Sequence, residues 1–318
     1  MKLKILVITP IEHLKQTFEL MKTFDYIYRP YISKSELINI LKNDKSINAL
    51  FTNPNKQGFI LDEEVFRDSN ISTINTASTG TNHIDKIYCG ENNIKIYSLT
   101  KDYELINQLS STSELAFGLM ISLLRKIHSS FDSVKKYEWD YEKYIGRQIK
   151  DLNLGVIGYG RLGKMMANYG QIFGMKVFIH DPYQTIENKD IFQVGLEELL
   201  EKSDVISLHV HVLDETRNMV NEDFITKMKT NSFLINTSRG ELVDELEIIK
   251  YLKNGKLAGY GTDVIANEFD DIKKSKLIEL SNDEKYNILI TPHIGGMTYE
   301  GQNKAFHYAM NKFINLNY

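Results

Sequence analysis

The chain of 318 residues has a single cysteine, Cys89. A lone thiol has no internal partner, so no disulfide framework organises the fold. It also lacks a basic surplus: 38 Lys and Arg stand against 42 Asp and Glu, a net charge of −4. Nucleic-acid binding needs such a surplus to neutralise phosphates, so that partner is not expected. A small anion is a different matter, since one arginine in one pocket suffices for it. No apolar stretch reaches the roughly 20 residues of a membrane span. The first residues, "MKLKILVITP", run straight into a strand-like segment, with no long apolar region and no small-residue cleavage site. Internal repeats, low-complexity tracts and Pro/Gly-rich linkers are missing as well. What remains is a soluble chain expected in the cytoplasm. Its 42% apolar content can build the core of one large domain or two medium ones.

The segments that are present alternate. "LKILVI", "DYIYR", "INALFT", "ISTINT" and "IKIYSL" are short apolar runs of the kind that form buried parallel strands. A segment from about Ile11 to Lys22, "SKSELINILKN" and "DEEVFRD" read as the helices between them. This βα alternation predicts a parallel sheet. From Ser110 to about Lys136 a long helix is expected, capped by Ser113 or Thr112, with Leu115, Leu119, Ile121 and Leu124 as apolar positions. The aromatic and polar stretch "YEWDYEKYIGRQIKD" has no clean period and reads as an arm packed on a neighbouring subunit or on a second domain.

A second βα series starts at Leu152. Its strand candidates are "LGVIGY", "KVFIH", "DVISLHV", "SFLINT", "AGYGTDV" and "NILIT". The helix "DELEIIKYLKNG" ends on a glycine suited to the C′ position. With no linker between the two series, the chain is expected to cross between domains near Leu99 and near Thr291. The last segment then returns to the first domain.

The clearest motif is "GVIGYGRLGKMMANYGQIFGMKVFIHDPY", which holds G-x-G-x-x-G as Gly158, Gly160 and Gly163. Gly158 permits a tight turn, Gly160 lets backbone approach a pyrophosphate, and Gly163 allows close packing of helix on strand. Tyr159, Arg161 and Leu162 complete the loop, and the helix after it presents its N-terminus to the phosphates. Asp181, 23 residues after Gly158, is where an acid binds the ribose hydroxyls of NAD and repels a 2′-phosphate.

Three weaker signals lie further along. Arg239 in "FLINTSRGELVDE" ends a strand, where a guanidinium can grip a carboxylate through two parallel hydrogen bonds; a surface ion pair is the plainer alternative. Asp263 and Glu268 in "GYGTDVIANEF" are either strand-end functional acids or part of a solvated acidic loop. His293 comes after the strand of "ILITPHIGGMT", and a lone histidine there is commonly structural. Their order within one βα series, glycine turn, Asp, Arg, Glu, His, gives them weight.

With "NTASTGTNHID" (Asn75 to Asp85), "SLHVHVLDETRNMV", "INTSRGELVDE" and "ITPHIGGMT", the chain resembles the D-isomer-specific 2-hydroxyacid dehydrogenase family over nearly its whole length, in its phosphoglycerate dehydrogenase-like branch. The resemblance implies an α/β protein of two Rossmann-like βα domains with parallel sheets and a cleft between them. Residues 1–100 and 292–318 would form a flavodoxin-like substrate domain, and 101–291 the NAD-binding domain. It implies a catalytic set of Arg239, Glu268 and His293. His293 would exchange a proton with the substrate oxygen, Glu268 would hold its ring, and Arg239 would bind the carboxylate. Ser78, Thr79 and Gly80 match the substrate-carboxylate loop, an anion nest of backbone N–H groups. Asp263 matches a nicotinamide contact. His209, Val210, His211, Thr216, Thr237, Ser238, Gly295 and Gly296 match cofactor-lining positions. The pair His209 and His211 has no third ligand, so no metal is expected. A homodimer through the region from Ser110 to Asp151, with a small 2-hydroxy or 2-oxo acid as substrate, is the implied assembly and partner.

The sequence departs from the family pattern in places. The gap between Glu268 and His293 is long, and Phe269 stands where proline often comes after the glutamate. "SLTKDYELINQLSSTSE" replaces a shorter loop, which leaves the choice of acid open. Lys56 in "TNPNKQG" is either a contact for a phosphorylated acid or a solvated lysine. No regulatory domain is expected beyond residue 318. The alternatives are a glyoxylate or hydroxypyruvate reductase on the same scaffold, or a non-enzymatic NAD(H)-responsive binding protein.

Overall fold

The short apolar runs form parallel strands, and the central ones are buried on both faces, as sheets covered by helices require. A computed structural model describes residues 3–54, 58–266, 268 and 271–316. Lys56 and Phe269 lie outside the described residues. The chain divides into two units, Met1–Leu109 with Met297–Tyr318, and Ser110–Gly296.

The first unit runs β1 (Lys4–Val7), α1 (Lys15–Met21), β2 (Asp25–Tyr28), α2 (Lys34–Asn43), β3 (Ala49–Thr52), α3 (Glu63–Phe66), β4 (Thr73–Thr76), α4 (Lys86–Glu91), β5 (Lys95–Tyr97) and α5 (Tyr103–Ile106). The second runs α6 (Ser111–Leu124), α7 (Ile127–Lys135), β6 (Asn153–Ile157), α8 (Arg161–Ile172), β7 (Lys176–His180), β8 (Ile191–Gln193), α9 (Leu196–Lys202), β9 (Val205–Leu208), α10 (Glu222–Lys227), β10 (Ser232–Asn236), α11 (Glu245–Lys253), β11 (Leu257–Thr262), α12 (Lys276–Ser281) and β12 (Ile288–Ile290). Then α13 (Tyr299–Leu316) returns to the first unit.

The first sheet has the order β2-β1-β3-β4-β5, all parallel, which is the flavodoxin-like order. Its helices start where the sequence supplies caps. Ser33 and Glu36 form a reciprocal capping box on α2, and Asp62 caps α3. Helix α13 lays Phe306, Ala309, Met310 and Phe313 into the core, where Phe306 and Phe313 meet Phe51 edge-on. Asn75, wholly buried at the end of β4, donates to the Ala309 carbonyl at 2.6 Å.

The second sheet has the order β12-β11-β10-β9-β6-β7-β8, again parallel. Read outward from β6, this is the doubly wound order with one added strand. The direction of winding reverses between β6 and β9, so their C-terminal ends flank the crevice where such sheets take ligands.

Four local expectations are corrected. The long helix breaks at Lys126, which adopts a left-handed conformation (φ 51°) between α6 and α7. The Leu124 carbonyl freed by the break accepts from the Arg147 N–H at 2.8 Å, and Gly146 lies so close that a Cβ there would sit 2.4 Å from that oxygen. Neither Ser113 nor Thr112 caps α6; Ser110 precedes it, and the buried Ser113 hydroxyl donates to the Leu162 carbonyl. The first helix begins at Lys15, not Ile11, because Ile11 and Leu14 are drawn into the core below it. Strand β8 has no counterpart among the expected strands, being three residues long with two of them exposed.

The crossings also fall later than near Leu99 and Thr291. Lys312 bonds the Ser98 carbonyl at 2.7 Å and Asp102 at 2.5 Å, and Tyr308 donates to Asp102. These bonds tie the segment after β5 to α13 in the first unit. On the other side, the His293 N–H bonds the Asp263 carbonyl, which holds the histidine in the second unit.

Candidate functional site

The turn after β6 is built around its glycines. Gly158 has φ +89°, a region that L side chains rarely adopt, and a Cβ there would meet the His209 carbonyl oxygen at 2.5 Å. A Cβ on Gly163 would sit 2.0 Å from the Gly158 oxygen. The protein's own packing therefore requires both. Gly160 is different: a Cβ there would meet no protein atom within 4 Å. Its bare backbone faces open space at the start of the twelve-residue α8, a cradle that a side chain would fill. Asp181, just past β7, comes to this turn. Its carboxylate accepts from the Tyr159 N–H at 2.7 Å and from the Tyr183 N–H at 2.9 Å. A cavity lined by His180, Asp181, Tyr183, Gln184 and Gly195 opens beside it. Burial lowers the pKa of the Arg161 guanidinium, which opens α8. Backbone N–H groups, a bare glycine and an acid fit a pyrophosphate and a ribose.

Beneath the turn sits His209. Its Nε2 pairs with the Ser207 hydroxyl at 2.9 Å, its Nδ1 is buried without a partner, and burial pushes the imidazole down to about 4. His211, two residues on, is exposed, and Val210 is half-buried against the core of this unit. The Thr216 hydroxyl bonds the His211 carbonyl and accepts from the Leu213 N–H, closing its own loop. Among the described residues, no group of three His, Cys, Asp or Glu is placed to hold a metal.

The ends of β10, β11 and β12 bring together the other candidates. Asp263 is 1% exposed, and its carboxylate accepts from the Thr291 hydroxyl (2.6 Å), the Ile294 N–H (2.8 Å) and the Gly295 N–H (2.7 Å). Burial nonetheless holds its pKa above the usual carboxylate value. These bonds fold the chain into a tight turn in which His293 takes φ +54°, an unusual conformation for a residue other than glycine. The turn aims the His293 ring back at Glu268, whose Oε2 lies 2.9 Å from Nδ1. The two side chains are 41% and 22% exposed, so the pair is open to a ligand. Gly295 is needed at this turn, since a Cβ would sit 3.0 Å from the Asp263 carboxylate; at Gly296 it would meet nothing within 4 Å.

The loop that carries Glu268 is fixed by residues that the motifs do not single out. Gly240 lies directly on it: a Cβ would fall 2.1 Å from the Ile265 carbonyl atoms. Glu245 at the start of α11 accepts from the Ala266 N–H at 2.8 Å, and burial raises its pKa. Since Gly240 directly succeeds Arg239, the arginine loop and the glutamate loop lie in contact. Asn236 shapes the arginine loop by accepting from the Ser238 N–H and donating to the Arg239 carbonyl. Ser238 ties it to the Leu208 carbonyl at the end of β9. The Arg239 guanidinium is half-buried and bonds only the Ser238 carbonyl, with no acidic partner among the described residues. The Thr237 hydroxyl beside it is buried and unpaired.

In the first unit, Ser78, Thr79 and Gly80 come after β4. The Thr76 hydroxyl links the Ser78 hydroxyl (2.9 Å) to Nε2 of the buried His83 (3.2 Å). Burial pushes the His83 imidazole down to about 4, and its Nδ1 is unpaired.

Two doubly wound parallel sheets, one with both a dinucleotide-type glycine turn and an acid–imidazole pair on the C-terminal side of its strands, define an α/β oxidoreductase built around a nucleotide cofactor. Comparison with known proteins gives the family. Residues 117–295 match the model "D-isomer specific 2-hydroxyacid dehydrogenase, NAD binding domain". The chain is 33% identical over 238 residues to a hydroxypyruvate reductase of Thermotoga maritima, covering 74% of each protein. It is 34% identical over 221 residues to a D-3-phosphoglycerate dehydrogenase of Bacillus subtilis, covering 67% of this chain but 41% of that protein. A D-lactate dehydrogenase of Aquifex aeolicus, solved with NAD and lactic acid, superposes with TM-score 0.78 at 28% identity, covering 99% of this chain and 96% of that one. The chain belongs to the D-isomer-specific 2-hydroxyacid dehydrogenase family and is an NAD-dependent oxidoreductase of that family, with its second unit as the NAD-binding domain.

Proposed function

We propose that the chain interconverts a small D-2-hydroxy acid and its 2-oxo acid, with Arg239, Glu268 and His293 as its working side chains. The single observation that carries this reading is the 2.9 Å pair of Glu268 and His293, open to solvent past the C-terminal ends of strands in the sheet that also carries the dinucleotide turn. An ionised Glu268 can only accept, so it places the Nδ1 proton of His293 toward itself and leaves Nε2 for the substrate. Nε2 gives a proton to the carbonyl oxygen in reduction and takes it from the hydroxyl in oxidation. A bound nicotinamide supplies or accepts the hydride. Arg239, without an acidic partner, binds the carboxylate and draws charge from the adjacent carbonyl. Asp263 keeps the His293 turn in its left-handed form. In the first unit, the loop of Ser78, Thr79 and Gly80 reads as an anion nest of backbone N–H groups suited to a carboxylate.

The substrate class is a 2-oxo acid of three carbons or fewer, of the hydroxypyruvate and phosphohydroxypyruvate type. The hydroxypyruvate reductase matches over most of both chains, whereas the phosphoglycerate dehydrogenase is spanned over less than half its length. The reading includes a cytoplasmic homodimer. Tyr137, Trp139 and Tyr141, each more than 80% exposed in the arm after α7, support a second copy as the occupant of that surface. Among the described residues no helix is long and apolar enough to cross a membrane.

NADH oxidation measured against glyoxylate, hydroxypyruvate, pyruvate and phosphohydroxypyruvate tests the proposal. Turnover on at least one is expected. NADH binding with no turnover on any of the four would favour the NAD(H)-responsive binding protein instead.

A further inference from the structure

The carboxylate loop of the first unit is braced from outside as well as by its own serine. Each carbonyl along Ser78, Thr79 and Gly80 is taken by the protein. The Ser78 carbonyl accepts from the Leu99 N–H at 3.0 Å. The Thr79 carbonyl accepts from the Thr100 hydroxyl at 2.7 Å. The Gly80 carbonyl accepts from the Ser78 hydroxyl at 2.6 Å. No N–H of Thr79, Gly80 or Thr81 donates to any described atom. A trans peptide is planar, so fixing a C=O fixes the N–H across the same bond in the opposite direction. The three pinned carbonyls therefore aim the N–H groups of Thr79, Gly80 and Thr81 away from the protein, together. A row of oriented N–H groups is a receptor for an anion.

Two of the three pins come from the segment after β5, "SLTKDYEL", which is anchored to α13 through Lys312 at the Ser98 carbonyl and at Asp102. Ser98 in turn holds Thr100, hydroxyl to hydroxyl, at 3.1 Å. We propose that Thr100 is a positioning residue for substrate binding: its hydroxyl holds the Thr79–Gly80 peptide so that the Gly80 N–H faces the substrate carboxylate. This rests on the reading of the loop as the carboxylate site. Thr100 touches no reacting atom. Its effect falls on the grip on the acid and not on proton or hydride transfer.

The test is Thr100→Val, which keeps the shape and removes the hydroxyl, beside Thr100→Ser, which restores it. The readouts are KM and kcat for glyoxylate, the Kd of oxamate in the presence of NADH, and the Kd of NADH alone. Thr100→Val should raise KM and the oxamate Kd about fivefold, the loss of one modest hydrogen bond, with kcat and the NADH Kd unchanged. Thr100→Ser should return both to wild type. A Thr100→Val protein with wild-type KM and oxamate Kd overturns the role of Thr100 and leaves the functional reading standing. So does a loss in kcat that Thr100→Ser fails to rescue. A wild-type chain that reduces none of glyoxylate, hydroxypyruvate, pyruvate and phosphohydroxypyruvate and does not bind oxamate overturns both.

Discussion

The two units share a parallel α/β sheet and differ in the turn that leaves the first strand. After β1 the chain reads Ile8-Thr9-Pro10, and α1 starts at Lys15 behind a Leu14 that makes no side-chain cap bond. After β6 it reads Gly158-Tyr159-Gly160, and α8 starts at once from Arg161. Proline lacks an N–H and fixes φ, so the first turn offers no cradle. The glycine turn brings backbone and helix N-terminus to one point. The first unit places its free N–H groups elsewhere, after β4, by pinning carbonyls. On the proposed reading, one type of sheet carries two kinds of anion receptor, one made by residues that lack a Cβ and the other by donors that fix peptide planes.

One detail is common to both. Each loop stands over a histidine whose Nε2 pairs with a strand hydroxyl, Thr76 for the buried His83 and Ser207 for the largely buried His209, and desolvation keeps both neutral down to about 4. A fixed neutral ring under an anion loop gives packing and one hydrogen bond without a competing charge.

The comparison can be sharpened by substitution. The largest effect is expected at the substrate end of the second unit. Arg239→Ala should lower kcat/KM for the 2-oxo acid by about 10²–10³-fold, with NADH affinity unchanged, since one preorganised donor to developing charge is lost. Steady-state kinetics with a fluorescence titration of NADH would check it. Next is the glycine turn. Gly158→Ala forces an L side chain to φ +89° and against the His209 carbonyl. NADH binding should weaken on the order of 10–100-fold, the equivalent of roughly 1–3 kcal/mol of backbone strain. The matching change in the first unit, Pro10→Ala, should leave NADH binding as it is.

A separate effect, read in the fold and not in binding or turnover, is in stability against pH. The unfolded chain protonates both imidazoles below about pH 6.5, while the folded chain keeps them neutral down to about 4. The unfolded state then binds more protons in this window, so stability is full above pH 6.5 and falls as pH drops toward 4. The loss is up to about 3 kcal/mol for each ring. Thermal melts from pH 7 to pH 4.5 should show Tm falling. His83→Gln and His209→Gln should each flatten part of the slope.

Much of this arrangement is legible in the sequence. The glycine spacing has few alternatives, because Gly158 and Gly163 answer steric demands that no other residue meets. Parallel strands show as unbroken apolar runs. The ordered strand ends carrying Arg239, Glu268 and His293 are a consequence of the fold. Other features leave no local mark. Glu245 is one acid among several in "VDELE", and only the folded chain sets it on the Ala266 N–H. Thr100 lies in a polar stretch that matches no common loop, and its partner Thr79 is 21 residues away. The break at Lys126 depends on Arg147 reaching back to Leu124, a contact between segments with no shared pattern. The family resemblance puts Asp263 at the cofactor, yet in the fold both of its oxygens hold the His293 turn. The spacing marks the residue, and its bonding partners become visible only when β11 and β12 are adjacent.

The most direct test of the central claim is His293→Gln, assayed by single-turnover NADH oxidation with the best 2-oxo acid and by NADH titration. With Glu268–His293 as the proton-transfer pair, the rate should fall by about 10²–10⁴-fold while the NADH Kd stays within about twofold. A variant that reduces the acid within about threefold of the wild-type rate, less than 1 kcal/mol in the barrier, would contradict it.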